Sequence, residues 1–359
     1  MLKNVATPRK VIYGVGGFAQ INNVLDERRS VKNGWMLIII DNYFEGNPIV
    51  DKIKLLEKDH IEFVDIKSSE PTTVEVDRIR DWALSYDSEL PSAVVGMGGG
   101  SAMDYAKAVS LMLTHDGPSQ NYQGKYGLLK RPGVYTIGIP TISGTGAECS
   151  MPAVLSGPEK KMGLNGIWVP FRQIILDPNL IESVPIKQWF YTGMDCYIHN
   201  VESHLNYHST QLSRSLDEAS LKLCEEVFLQ EGQTKESNEK LMIASFLGGK
   251  SIGFADVAAC HALSYGLSHV FKYRHGLGNC IVFQHLEDIY GDYVVKFNQM
   301  CEKNDVQLPQ NLSANWSYDK IKQMVLISMD LPFLWENAFG PDWRIKITMD
   351  YLVSLYKRM

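Results

Sequence analysis

Six apolar residues in a row, Trp35-Met36-Leu37-Ile38-Ile39-Ile40, run straight into Asp41. A strand with one wet face alternates apolar and polar residues, so an unbroken run of this length predicts a strand covered on both faces. Residues 92–97 repeat the pattern, and 134–140 form the last clear run of the series. Val11-Ile12-Tyr13 opens it before the glycine-rich turn Gly14–Gly17, and residues 61–66 offer a weaker strand. Residues 74–84 instead carry the 3.6-residue apolar period of a helix. Strands alternating with helices predict a mostly parallel, Rossmann-like α/β sheet with crossover helices.

Beyond about residue 180 the strand signals thin out and helical periods dominate. Asp177-Pro178 and Pro185 interrupt the pattern, which sets the expected domains at 1–178 and 179–359, the first α/β and the second all-α. A length of 359 residues suits two domains. With 35 Lys plus Arg against 41 Asp plus Glu, the chain carries a net charge of −6, and its scattered basic residues argue against nucleic acid. No apolar run approaches the roughly 20 residues that cross a bilayer, and the start lacks the apolar stretch of a secretion signal, so a cytoplasmic protein without a membrane partner is expected. Six cysteines without a CxxC pair read as reduced, packed thiols.

Gly98-Gly99-Gly100-Ser101 follows the strand at 92–97 and precedes a helical stretch. Backbone N–H groups there can approach a phosphate unobstructed, and a helix N-terminus adds about half a positive charge, so a pyrophosphate site is expected. A bare strand-to-helix turn is the competing reading. Asp41 at a strand end suits the hydroxyls of an adenosine ribose and repels a 2′-phosphate, favouring NAD, although a solvated turn aspartate fits the same position. Thr141 and Ser143 lie in a Ser/Thr/Gly segment just past another strand end, where ligands of open α/β sheets bind.

Asp195 and His199, four apart in a helical stretch, share a face. His261 and His275 follow. In one straight helix those two would lie about 21 Å apart, so sharing a cation requires a reversal, which Gly276 and Gly278 permit near Tyr273–Arg274. Three imidazoles and one carboxylate then suit Zn²⁺ or Fe²⁺ rather than Ca²⁺ or Mg²⁺. Separate buried histidines bonded to backbone remain the alternative at this stage.

The stretches GGGSAMDYAKA (98–108), PTISGTGAE (140–148), the lysine of EKKMG (159–163), DP (177–178), TGMDCYIHNVES (192–203) and CHALSYGLSHVFKYRHGLGN (260–279) together resemble the iron-containing alcohol dehydrogenase family. That resemblance implies a dehydroquinate synthase-like architecture, with an NAD-binding domain, a helical domain and one divalent metal, Fe²⁺ or Zn²⁺, in the cleft between them. It puts the metal on Asp195, His199, His261 and His275. It puts NAD on Asp41, Gly98, Gly99, Gly100, Ser101, Asp104, Thr141, Ser143 and Lys161. Tyr265 stands where such enzymes usually carry a second histidine, so Tyr265 and His269 become the candidates for moving the proton. TPRKVIYGVGGF (7–18) with QWFYTGMDCYIH (188–199) is similar to the branch oxidising the terminal hydroxymethyl of 3-deoxy-α-D-manno-octulosonate, an acidic sugar of lipopolysaccharide biosynthesis. Arg274, next to His275, offers a bidentate partner for a substrate carboxylate. The expected partners are therefore a small alcohol or acidic sugar, with a homodimer as the one assembly considered. A dehydrogenase of simple alcohols or polyols, a dehydroquinate synthase-like lyase and a metal hydrolase are the rival readings.

Overall fold

The computed structural model describes residues 4–32, 34–66, 70–124, 126–158 and 161–359. The chain divides into two compact units. One runs up to Ile142 and resumes over Gly146–Ser183, whereas the other comprises Val184–Met359 and the tripeptide Ser143–Thr145.

The first unit is built on a parallel sheet of β1 (Lys10–Tyr13), β2 (Met36–Asp41), β3 (His60–Val64), β4 (Ala93–Gly98), β5 (Thr136–Pro140) and β8 (Gln173–Leu176). Its order is β1-β8-β5-β4-β2-β3, and β6 (Pro152–Ser156) with β7 (Lys161–Asn165) forms a separate antiparallel hairpin. Every residue of β2, β4, β5 and β8 is buried, as continuous apolar runs require, while the edge strands β1 and β3 stay partly exposed. The strand series does not end at Pro140. β8 enters between β1 and β5, pairing through Ile174↔Val11 and Ile174↔Gly138. Only four residues long, it is too short for a periodicity argument.

Helices α1 (Ile21–Val31), α2 (Thr73–Tyr86) and α3 (Gly100–Met112) accompany this sheet. Almost all of α3 is buried, including Lys107. That ammonium pairs with Asp104 Oδ1 at 3.0 Å and donates to the carbonyls of Ala147 (3.0 Å) and Pro152 (2.6 Å). An unpaired buried charge would cost several kcal/mol, so this cluster holds the hairpin to α3.

The second unit is helical: α4 (Ile186–Leu205), α5 (Gln211–Glu226), α6 (Lys235–Ala255), α7 (Ala259–Phe271) and α8 (His275–Phe283), then further helices to Lys357. Thr210 and Thr234 cap α5 and α6 reciprocally with Ser213 and Ser237, satisfying donors that a helix start leaves open. The core includes Trp189, Phe190, Tyr197, Phe228, Phe283 and Trp335. Gly193 lets α4 approach Phe228, since a Cβ there would stand 2.3 Å from the ring. Among the described residues no single helix is long and apolar enough to cross a membrane. All six cysteines are buried and none forms a disulfide.

Candidate metal centre

α4 carries Asp195 and His199 one turn apart and almost fully buried. α7 carries His261 in its first turn and ends at Phe271, where Lys272 turns into the left-handed region (φ 60°). α8 then begins at His275. This supplies the reversal that the spacing of the two histidines demands. Asp195 Oδ1 lies 3.7 Å from His199 Nε2, 3.7 Å from His261 Nε2 and 3.5 Å from His275 Nε2. One donor atom from each of the four residues lies within 4.8 Å of all the others. Ligands about 2.1 Å from a tetrahedral Zn²⁺ stand about 3.4 Å apart, so these side chains need only a small contraction to share an ion.

Orientation comes from a second ring of groups. Glu202, fully buried on α4, places Oε2 2.5 Å from His261 Nδ1, which turns Nε2 towards Asp195. The same carboxylate accepts the backbone N–H of Ala258 (3.0 Å) and Cys260 (2.6 Å) at the start of α7, and the Tyr290 hydroxyl at 2.5 Å. A carboxylate behind a ligating imidazole fixes its tautomer and raises its basicity. His199 hydrogen-bonds the Gly144 backbone. Gly144 has φ 148°, and a Cβ there would fall 1.8 Å from the Thr192 carbonyl, so only glycine brings this loop onto α4. Asn279, one turn into α8 from His275, sets Nδ2 2.7 Å from Asp195 Oδ1 and 3.1 Å from His261 Nε2.

The electrostatics fit a cation. Burial alone would raise the Asp195 carboxyl, but His199, His275 and His261 override it and hold the group far below the usual carboxylate range. Burial lowers His199. His261 is pushed down by burial and up by Glu202 and Asp195, and the carboxylates win, at about 9. Among the described residues, the charge-balancing partners of the two acids are imidazoles. A divalent cation replaces that compensation with full neutralisation.

The matches to known proteins agree with this chemistry. Residues 8–178 match the model for iron-containing alcohol dehydrogenase, and 189–324 match that for the C-terminal part of the same family. The chain belongs to the iron-containing alcohol dehydrogenase family. Long-chain-alcohol dehydrogenase 1 of Geobacillus thermodenitrificans is 31% identical over 231 residues, which are 63% of this chain and 56% of that enzyme. The crystal structure of a 1,3-propanediol oxidoreductase superposes with a TM-score of 0.84 at 19% identity, covering 99% of each chain. A sulfoacetaldehyde reductase from Bifidobacterium kashiwanohense, solved with NAD⁺, gives 0.81 at 22% identity over 99% of this chain and 98% of that one. At these identities the two structures establish a shared fold.

The other expected residues fall in two places. Asp41, Gly98 and Thr141 gather at the carboxyl ends of adjacent strands: Thr141 N–H donates to the Gly98 carbonyl at 3.0 Å, and a Cβ on Gly98 (φ 151°) would sit 3.0 Å from Asp41 Cβ. Gly99 caps α3, Gly100 and Ser101 open it, and Asp41 Oδ1 accepts the Tyr43 N–H at 2.9 Å. Asp104 is engaged with Lys107 and with the Val154 N–H at 3.0 Å, and Lys161 pairs with Glu70 at 2.6 Å. Ser143 is buried in the helical unit, with its hydroxyl unbonded. Tyr265 lies one turn after His261, its ring 5.9 Å from that of His275. His269 and Arg274 are exposed. Glu202 and Asn279 were missed from the sequence, although Asp195, His199 and Glu202 at i, i+4 and i+7 share one face of α4.

Proposed function

We propose that this member of the family holds one divalent cation, Fe²⁺ or Zn²⁺, on Asp195, His199, His261 and His275, and interconverts a primary alcohol and its aldehyde with NAD. The convergence of four donor atoms within 4.8 Å carries this reading. A cation bound there supplies Lewis acidity, lowering the pKa of a hydroxyl towards neutrality. Glu202 keeps His261 in the tautomer that presents Nε2. Gly99, Gly100 and Ser101 cradle the pyrophosphate with backbone N–H groups at the start of α3, and Asp41 accepts the ribose hydroxyls. Thr141, Ser143, Lys161 and Asp104 complete the cofactor set.

Tyr265 is the stronger candidate for the proton step, because its half-buried ring faces His275 and His261 at 5.9 and 6.2 Å, whereas His269 is exposed two turns beyond His261. For the substrate we infer an acidic sugar, namely the terminal hydroxymethyl of 3-deoxy-α-D-manno-octulosonate. The support is Arg274 at the cap of α8 beside His275, together with the branch-like stretches at 7–18 and 188–199. The sulfoacetaldehyde reductase of like fold takes its name from another anionic substrate.

The test is a substrate panel of acidic sugars and simple alcohols with metal-loaded enzyme and NAD⁺, read by reduced-cofactor absorbance and product mass. NADH formation with the octulosonate is expected. Preference for 1-propanol or 1,3-propanediol would overturn the substrate reading alone. Product without net NADH would replace the dehydrogenase with a lyase.

A further inference from the structure

The amino ends of the same parallel strands carry a second concentration of charge. Arg9 precedes β1, Arg172 precedes β8, Tyr135 precedes β5 and Arg28 comes from α1, and with Lys10 they line a cavity of about 320 Å³. The backbone fixes their spacing: Arg9 N–H and Lys10 N–H both donate to the Arg172 carbonyl, at 3.0 and 3.2 Å. Tyr135 is held by its hydroxyl on Gln173 Oε1 (3.1 Å), and the Arg28 guanidinium lies 3.8 Å above its ring.

What distinguishes this cluster is its lack of counter-charge. The chain has more acids than bases, 41 against 35. Other arginines of this unit are paired: Arg29 with Asp26 and Asp59, Arg78 with Glu62 and Glu75, Arg80 with Asp77 and Asp81. Arg28, the immediate neighbour of Arg29, has no carboxylate within 4.0 Å among the described residues, nor do Arg9 and Arg172; only Lys10 has one, Glu27. Arg28 Nε is buried with no hydrogen-bond partner. Burial, then the nearby Arg9, lowers the pKa of Arg172. Like charges drawn together, with a desolvated donor unpaired, are unfavourable unless an anion compensates them.

We propose that this cavity binds a small polyanion carrying phosphate groups, gripped by the guanidinium forks of Arg28, Arg172 and Arg9. Guanidinium matches phosphate oxygens bidentately, and three cations from separate elements favour a ligand with two or more charges. The site stands at the opposite end of the strands from Asp41, Gly98 and Thr141, so it is distinct from the dinucleotide cradle.

Pyrophosphate is the probe, titrated calorimetrically at low salt into the full chain, with citrate as a carboxylate arm. Gly99→Val, whose side chain would obstruct the glycine loop against Ile142, removes the dinucleotide cradle as a competing site; one pyrophosphate is still expected to bind, and the arginine variants are made in this background. Arg28→Gln/Arg172→Gln is expected to bind at least tenfold more weakly. Should the double variant misfold by circular dichroism, Arg9→Gln, an exposed position, is expected to weaken binding severalfold. Tighter binding of citrate than pyrophosphate would overturn the phosphate assignment. No binding to wild type, loss only in Gly99→Val, or unchanged affinity in the arginine variants would overturn the site.

Discussion

Two buried clusters of charge, one in each unit, solve the same electrostatic problem in opposite ways. In the α/β unit Lys107 meets Asp104 and two backbone carbonyls, so charge and hydrogen bonding close within the chain. In the helical unit Asp195 and Glu202 meet, among the described residues, imidazoles, amides and a phenol, and four donor atoms lie within 4.8 Å of one another. The first cluster is complete as it stands, and the second, on the function proposed, takes its counter-charge from a cation. A buried charge by itself therefore says little about function; what matters is whether the chain supplies its counter-charge.

Four perturbations test that contrast. Breaking the incomplete cluster has the largest expected effect. His261→Ala or His275→Ala should abolish stoichiometric metal, measured by plasma emission, and lower turnover by about a thousandfold or more, because the removed ligand also carries the Lewis acid. Full activity without metal in either variant would end the assignment. Breaking the closed cluster should act on stability: Lys107→Ala leaves the buried Asp104 without its ammonium and should cost about 3–5 kcal/mol in urea unfolding. A loss below about 1 kcal/mol would show that Asp104 simply takes up a proton.

Asp217 lies between these extremes. Burial pushes its carboxyl up to about 7, against the pull of hydrogen bonds from Ser251 and Ser203. A raised carboxyl binds its proton more tightly folded than unfolded, so its contribution to stability is present below about pH 4 and is lost as pH rises towards 7. The span is on the order of 2–4 kcal/mol. Asp217→Asn should flatten that slope and unfold at higher urea than wild type at pH 8, and an unchanged slope would remove Asp217 as its source. The mildest change is Glu202→Gln, expected to weaken metal binding about 10- to 100-fold while leaving the four ligands in place. An unaltered chelator-competition curve would show that Glu202 serves only to cap α7.

Much of this contrast was legible in the chain. The reversal between His261 and His275 follows from helix length alone, because two residues fourteen apart cannot meet on a straight helix. The buried strands announced themselves through unbroken apolar runs at Met36–Ile40 and Ala93–Met97. β8 and the β6–β7 hairpin did not, since they are four and five residues long and carry polar or Gly and Pro positions that match no period. The face of α4 that Glu202 shares with Asp195 and His199 was legible, but the tasks of Glu202 and Asn279 were not, because they depend on which imidazole nitrogen each one faces, a three-dimensional relation. Lys107 is similar, an ordinary amphipathic-helix lysine by sequence and a fully enclosed one in space.

The Glu202 carboxylate joins chain positions 56, 58, 59 and 88 residues distant: Ala258, Cys260, His261 and Tyr290. None of these contacts is local, so the full set of bonds that orients His261 forms only once the segment through Tyr290 has docked. An unfolded chain lacks the carboxylate that turns His261 Nε2 towards Asp195. Metal affinity at the proposed site is thereby coupled to folding of the helical half as a whole, not to any local segment.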